Sequence, residues 1–387
     1  MPVVLGSDRL LASGRLNGLT VGVVANPASV NGALQHVIDL VVSQPRVRLG
    51  ALFGPQHGFR ADAQDNMIET GHGEDQARRV PVYSLYSVTR EPSAAMLAGL
   101  DAIVVDLQDV GARIYTFVYT MANCLRAGKK HGVRVIVCDR PNPIGGEQVE
   151  GPMLEAGFES FVGQFPIPMR HGMTIGELAM LFNDHFGIGA ELEVVRMTGW
   201  RRSMYWDATT LPWVMPSPNM PTLDTAIVYP GAVLFEGTTL SEGRGTTRPF
   251  EFLGMPGIQP ERFARALNAL GLDGVVFRPI EFEPTFQKHA RTTCGGCQIH
   301  VIDRDLFRPV EAGVTVMSEF RRQGPETFGW RMPPYEYENE KMPIDILAGS
   351  PALRGQIESG LSGPEIAATW PESVEPFMSV RKRHMAY

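Results

Sequence analysis

Along the first 140 residues, short continuous apolar runs alternate with segments of helical spacing. Residues 19–25, 47–53, 80–86, 102–107 and 133–138 read as strands. Residues 34–42 and 114–129 carry helical spacing, and Ser93 is placed to cap a short helix. Apolar runs unbroken by polar positions belong in sheets covered on both faces. The pattern therefore predicts an α/β fold, a Rossmann-like parallel sheet with helices on both sides. Beyond residue 140 the pattern changes. A helix over 174–186 opens with Thr174 and Glu177 at capping-box spacing, which reads Glu177 as structural. Residues 200–221, rich in Trp, Pro and Met, read as an irregular loop facing a ligand. A dense Gly, Thr and Glu segment at 229–252 precedes a helix at 260–270, strands at 275–282 and 294–303, and a helix at 310–322. These predict a smaller C-terminal α+β domain, dividing the chain into 1–225 and 226–387.

At 387 residues, with 44% apolar and 20% charged positions, the chain has the composition of an ordinary globular protein with room for two or three cores. Its net charge of −7, without a basic tract, argues against nucleic acid and anionic membrane surfaces as partners. No apolar run approaches the roughly 20 residues that span a bilayer. The N-terminus shows no charged segment leading into an apolar one, so a cytoplasmic location is expected, with a removed leader left open. Cys294-Gly-Gly-Cys297 has the spacing of half a zinc site, but no second pair accompanies it. Two small residues in a strand, or a redox-labile pair, fit better, and no metal is expected. The first strand ends in Asn26-Pro27-Ala28-Ser29 rather than Gly-x-Gly-x-x-Gly. That argues against NAD or FAD, and no cofactor is expected.

Four polar clusters carry candidate chemistry. In the first, a turn of Gly54, Pro55 and Gly58 follows a strand and delivers His57, Arg60, Asp62, Gln64, Asp65, Asn66 and Glu69. Open α/β sheets bind ligands beyond such carboxyl ends. The second spans 106–113, where Asp106 and Asp109 lie close enough for one to keep the other protonated as a general acid. A structural reading stands beside it, with Asp109 capping the next helix and Asp106 pairing with Arg113. In the third, 139–146, prolines and glycines fix a turn on which Arg140 and Asn142 suit a carboxylate or sugar hydroxyls, and Arg170 with His171 adds a nearby cation. The fourth, 236–247, holds Glu236, Glu242 and Arg244 in a glycine-rich segment without the Gly-Lys-Ser/Thr of a phosphate loop. A Gly-x-Ser-x-Gly elbow is absent. Acids and amides without a metal set favour glycoside chemistry, in which two carboxyls flank an acetal, about 5–5.5 Å apart for retention or about 6.5–9.5 Å for inversion. The residues by themselves lead to a sugar-directed hydrolase or a sugar-binding protein.

Taken together, the segments 54–58, 106–113, 139–143, 216–221 and 236–246 resemble the NamZ-type exo-β-N-acetylmuramidases, formerly catalogued as DUF1343, and the likeness runs from about residue 21 to the C-terminus. The resemblance implies release of terminal β-linked N-acetylmuramic acid, or a related amino sugar, from the non-reducing end of peptidoglycan fragments. It also implies a Rossmann-like catalytic domain and a C-terminal domain closing a cleft over the site. The lactyl carboxylate of that sugar suits an arginine fork, for which Arg140, Arg170 and Arg244 are candidates. One position departs from the family. Its muramidases typically read Gly-Pro-Glu-His-Gly, with the glutamate a proposed acid, whereas this chain has Gln56, whose amide cannot serve as a carboxylic acid. Three explanations follow: another carboxyl of the loop, Glu69 or Asp65, supplies the acid; the sugar or linkage differs; or the protein binds sugar without cleaving it. The first two together are preferred. The expected set is Glu69 with Asp106 or Asp109 as acid and base or nucleophile, and His57 orienting a carboxyl or water. Gln56, Arg140, Asn142, Arg170, His171, Asn219, Glu236, Glu242 and Arg244 would bind substrate.

Overall fold

A computed structural model describes residues 2–60, 69 and 71–387. Twelve strands lie among the described residues: β1 (Thr20–Ala25), β2 (Arg48–Gly54), β3 (Gly73–Asp75), β4 (Val80–Ser84), β5 (Ala102–Asp106), β6 (Arg134–Cys138), β7 (Glu150–Met153), β8 (Pro168–Arg170), β9 (Leu192–Val195), β10 (Phe252–Met255), β11 (Val275–Phe282) and β12 (Cys294–Val301). Seven form one sheet in the order β3-β4-β2-β1-β5-β6-β9, parallel throughout except for the antiparallel edge pair β3-β4. The sequence reads the central strands correctly because they are buried on both faces. The side-chain alternation divides their apolar residues between two cores. Val21, Val23, Leu52, Val104 and Ile136 pack with Val37, Ile38 and Val41 of the helix Val37–Val42. Val24, Phe53, Ile103, Val105 and Val137 join the larger core, which includes the helix Phe117–His131.

The C-terminal part carries a smaller antiparallel sheet, β10-β12-β11, flanked by the helices Pro260–Ala269 and Pro309–Gln323. Cys294 and Cys297 sit on opposite faces of β12: Cys294 packs with Ile280 and Phe282, while Cys297 enters the main core. They are two small strand residues facing apart rather than a redox pair. The glycines between them allow close strand approach. A Cβ on Gly295 would lie 2.1 Å from the Ile258 carbonyl oxygen, and one on Gly296 1.9 Å from that of Leu253.

Two polar ties bind the C-terminal part to the main sheet. Arg113 is fully buried and donates to the carbonyls of Pro152 (2.8 Å), Ile167 (2.9 Å), Leu347 (2.9 Å) and Ala348 (2.8 Å). The last two close the helix Pro343–Ala348. This corrects the Asp106–Arg113 pairing, since Asp106 instead holds Arg140. The second tie is Asp139, just past β6, which accepts from Thr174 Oγ1 (2.9 Å), Gly176 N (2.8 Å) and the terminal Tyr387 hydroxyl (2.7 Å). Burial pushes this carboxyl up to about 6 against those hydrogen bonds. The capping box of Thr174 and Glu177 forms as expected, and Glu177 also binds Arg202 at 2.6 Å.

Candidate active site

The carboxyl ends of β2 and β5 flank that of β1 and open onto a pocket, the place where open α/β sheets bind ligands. From the sheet side come Gln56 and His57 after β2 and Ile114 to Phe117 after β5. The irregular 200–221 segment contributes Ser217, Asn219 and Met220. The C-terminal part contributes Tyr229, Glu236, Arg244, Phe250, Tyr335 and Glu336. The pocket is thus walled by both halves of the chain.

The turn after β2 is tight. Gly54 has no room for a side chain, since a Cβ there would lie 2.5 Å from Phe59 N. His57 takes φ 69°, a left-handed conformation uncommon outside glycine, and it lines the pocket. Gln56 is held on both sides. Its carbonyl accepts from Thr116 Oγ1 at 2.8 Å, and its amide donates to Glu336 Oε1 at 3.4 Å.

Two carboxyl groups line the pocket among the described residues, and their surroundings drive them apart. Burial alone would raise Glu236. The Arg244 guanidinium at 2.6 Å, joined by the Tyr335 hydroxyl at 2.8 Å, overcomes that and holds it below the ordinary glutamate range. Glu336 is driven the other way, the Arg90 charge opposing the shift without overcoming it. Burial, reinforced by the charge of Glu236, pushes it up to about 7, although the Tyr86 hydroxyl donates to it at 2.9 Å. Behind Arg244, Glu242 binds Arg244 Nε at 3.3 Å and Lys288 Nζ at 2.9 Å, completing a buried network of alternating charge.

Of the residues singled out by sequence, Gln56, His57, Asn219, Glu236 and Arg244 line this pocket. Others lie buried outside its lining. Asp106 grips Arg140 through two hydrogen bonds of 2.7 and 3.1 Å, and Arg140 also donates to the Val30 carbonyl at 2.8 Å. Asp109 accepts from Gly111 N at 2.7 Å, with His171 Nε2 at 3.5 Å. Asn142 bridges the Met173 carbonyl (3.0 Å) and Ile144 N (3.1 Å). Arg170 donates to Gln148 and to the Ile144 carbonyl. Glu69 is exposed and accepts from the Tyr337 hydroxyl at 3.0 Å. Asp62, Gln64, Asp65 and Asn66 lie outside the described residues.

Glu336 escaped the sequence reading, as did its partner Tyr86 and Tyr335, the partner of Glu236. The available signal was Pro333-Pro334-Tyr335-Glu336-Tyr337-Glu338, which alternates aromatic and acidic residues directly after two prolines.

Comparison with known proteins finds one family along the length of the chain. Residues 21–224 match the N-terminal part, and 227–387 the C-terminal part, of the family described as exo-beta-N-acetylmuramidase NamZ. The peptidoglycan beta-N-acetylmuramidase NamZ of Bacillus subtilis (strain 168) is 46% identical over 387 residues, covering 100% of this chain and 91% of that protein. A crystal structure of a DUF1343 family protein from Bacteroides fragilis NCTC 9343 superposes with a TM-score of 0.90 at 32% identity, covering 100% of this chain and 99% of that one. A second such protein from the same organism gives a TM-score of 0.76 at 26% identity with the same coverage. Both halves of the chain and its whole length thus carry the same likeness, and the chain belongs to the exo-β-N-acetylmuramidase NamZ family.

Proposed function

We propose that this protein is an exo-acting glycoside hydrolase that releases terminal β-linked N-acetylmuramic acid from peptidoglycan fragments. The observation that carries the reading is the pocket itself. It brings two carboxyl groups in unlike states, Glu236 and Glu336, to the carboxyl ends of β2 and β5 in a chain of this family. Acetal hydrolysis needs such a pair, one to give a proton and one to meet positive charge. Simple sugar binding does not need a carboxyl raised toward neutrality. The amide of Gln56 therefore does not remove the acid from the site.

Of the three arginines suited to the lactyl carboxylate, Arg244 is the one lining the pocket, and Asn219, Ser217 and His57 stand there for the remaining polar groups of the sugar. We set the division between the two domains near residue 225, where Thr222 caps the helix Leu223–Ala232 that leads from the sheet domain into the second half. A cytosolic role in processing wall fragments is part of the proposal, and the four free cysteines agree with a reducing compartment. Among the described residues no helix is long and apolar enough to cross a membrane.

The test is release of 4-nitrophenol from its β-N-acetylmuramide, run beside the matching β-N-acetylglucosaminide. Turnover of the muramide alone supports the assignment. Turnover of the glucosaminide alone keeps the enzyme class and overturns the sugar. Inertness toward both by folded protein that still binds a muropeptide makes it a binding protein.

A further inference from the structure

We propose, on the hydrolase reading above, that Glu336 is the proton donor for glycosidic cleavage and Glu236 the carboxylate that meets the positive charge developing on the sugar. The first argument is backbone geometry. Residues 335–338 form a two-residue hairpin turn in which Tyr335 and Glu338 exchange both backbone hydrogen bonds at 2.9 Å. Glu336 and Tyr337 at its tip have φ values of 45° and 70°. Both central residues are thus left-handed, the geometry that normally selects Asn-Gly and disfavours residues that carry a Cβ. A glutamate and a tyrosine at the tip are therefore held against local preference, as happens where surrounding contacts need particular side chains.

Those contacts aim Glu336 into the pocket. Its carboxyl takes the Tyr86 hydroxyl at 2.9 Å and the Gln56 amide at 3.4 Å, while the next side chain, Tyr337, stacks beneath the Arg90 guanidinium at 3.7 Å. Among the described residues, two other candidate acids are engaged elsewhere. Asp106 is paired with Arg140, Glu242 with Lys288 and Arg244, and neither lines the pocket. Gln56, which also bonds Glu336, is an amide and has no carboxylic proton to give.

In the reaction, Glu336 passes its proton to the glycosidic oxygen as the bond from that oxygen to the anomeric carbon breaks. Glu236, held ionised by Arg244, faces the oxocarbenium-like sugar. Water then adds its oxygen to the anomeric carbon, and the proton it releases restores Glu336. Two environments that push two carboxyls apart are what such a division of labour requires.

The test compares two leaving groups: a 2,4-dinitrophenyl β-N-acetylmuramide, whose phenolate departs without protonation, and the disaccharide N-acetylmuramyl-β-1,4-N-acetylglucosamine. Glu336→Gln is expected to lose about 10²–10⁴-fold in kcat/KM on the disaccharide and less than about tenfold on the aryl glycoside, with the alkaline limb of the pH profile abolished. Glu236→Gln is expected to lose activity on both. Tyr86→Phe removes a hydrogen bond that favours the ionised carboxyl, so its alkaline limb should move to higher pH with aryl turnover retained. A Glu336→Gln enzyme that cleaves the disaccharide within about threefold of wild type, or loses both substrates equally, overturns the inference and leaves the hydrolase reading standing, because donor loss alone is worth about 10² or more. Wild-type protein inert toward both substrates overturns the two together.

Discussion

Replacing Glu336 with glutamine should stabilise the protein, and by an amount that grows with pH. The carboxyl titrates near 4.5 when the chain is unfolded and at about 7 in its buried place. Between those values the unfolded chain has released the proton that the folded chain still holds. Relative stability is therefore fully present below the unfolded value and is lost as pH rises through the folded one. Holding the ionised carboxylate in the fold costs about 3 kcal/mol above neutrality and under about 1 kcal/mol near pH 5. Glutamine pays neither cost and can still accept the Tyr86 hydroxyl, whose oxygen lies 2.9 Å away. Urea unfolding of wild type and Glu336→Gln at about pH 5 and about pH 8 should show the variant's advantage widening by about 2 kcal/mol or more. Curves that stay equally separated at both pH values would refute the raised ionisation, and with it the electrostatic half of the argument for Glu336. No substrate is needed, so the result stands apart from any measurement of activity.

Three other outcomes follow from the same geometry. Arg113→Met removes the donor from four buried carbonyls, two of them ending the helix Pro343–Ala348. It should cost about 3–5 kcal/mol by urea midpoint, and a loss below about 1 kcal/mol would show that the tie is not needed. Gln56→Glu sets a second carboxyl where the amide nitrogen now lies 3.4 Å from Glu336. The alkaline limb of kcat/KM should move up by about a pH unit or more, and an unmoved limb would mean that the two side chains do not share the site. Glu69→Gln should change kcat/KM by less than about threefold, because its exposed carboxylate meets Tyr337 rather than the pocket; a loss above about 10² would return the acid to Glu69.

The sheet was legible because β1, β5 and β6 are buried on both faces and so print continuous apolar runs. The short pieces were not. β3 and β8 have three residues each and β7 and β9 four, too few for a period to emerge. Side-chain partners were harder still. Proximity in sequence suggested Asp106 with Arg113, but parallel pairing sets β5 beside β6 with Val105 opposite Val137. Asp106, the last residue of β5, then meets Arg140, two residues past the end of β6. The pocket-lining residues on the turn after β2, Gln56 and His57, were legible because strand ends are where such sheets open pockets. Glu336 was not, because 280 residues separate it from Gln56 and only the folded chain brings them together.

That long-range contact bears on the amide at residue 56. Two carboxyls at this separation cannot both ionise cheaply and would share one proton, so that the acidity of each would depend on the other. An amide avoids the competition. Gln56 accepts from Thr116 with its carbonyl and so turns its N–H toward Glu336, fixing the direction of that carboxyl without contending for its proton. Its donated hydrogen bond and that of Tyr86 favour the ionised form, and burial with the nearby charge of Glu236 favours the neutral one. The balance leaves Glu336 near neutrality, where a single group can both give a proton and take it back. Gln56 then reads as the partner that a glutamate acting from the opposite wall requires, rather than as a catalytic residue lost.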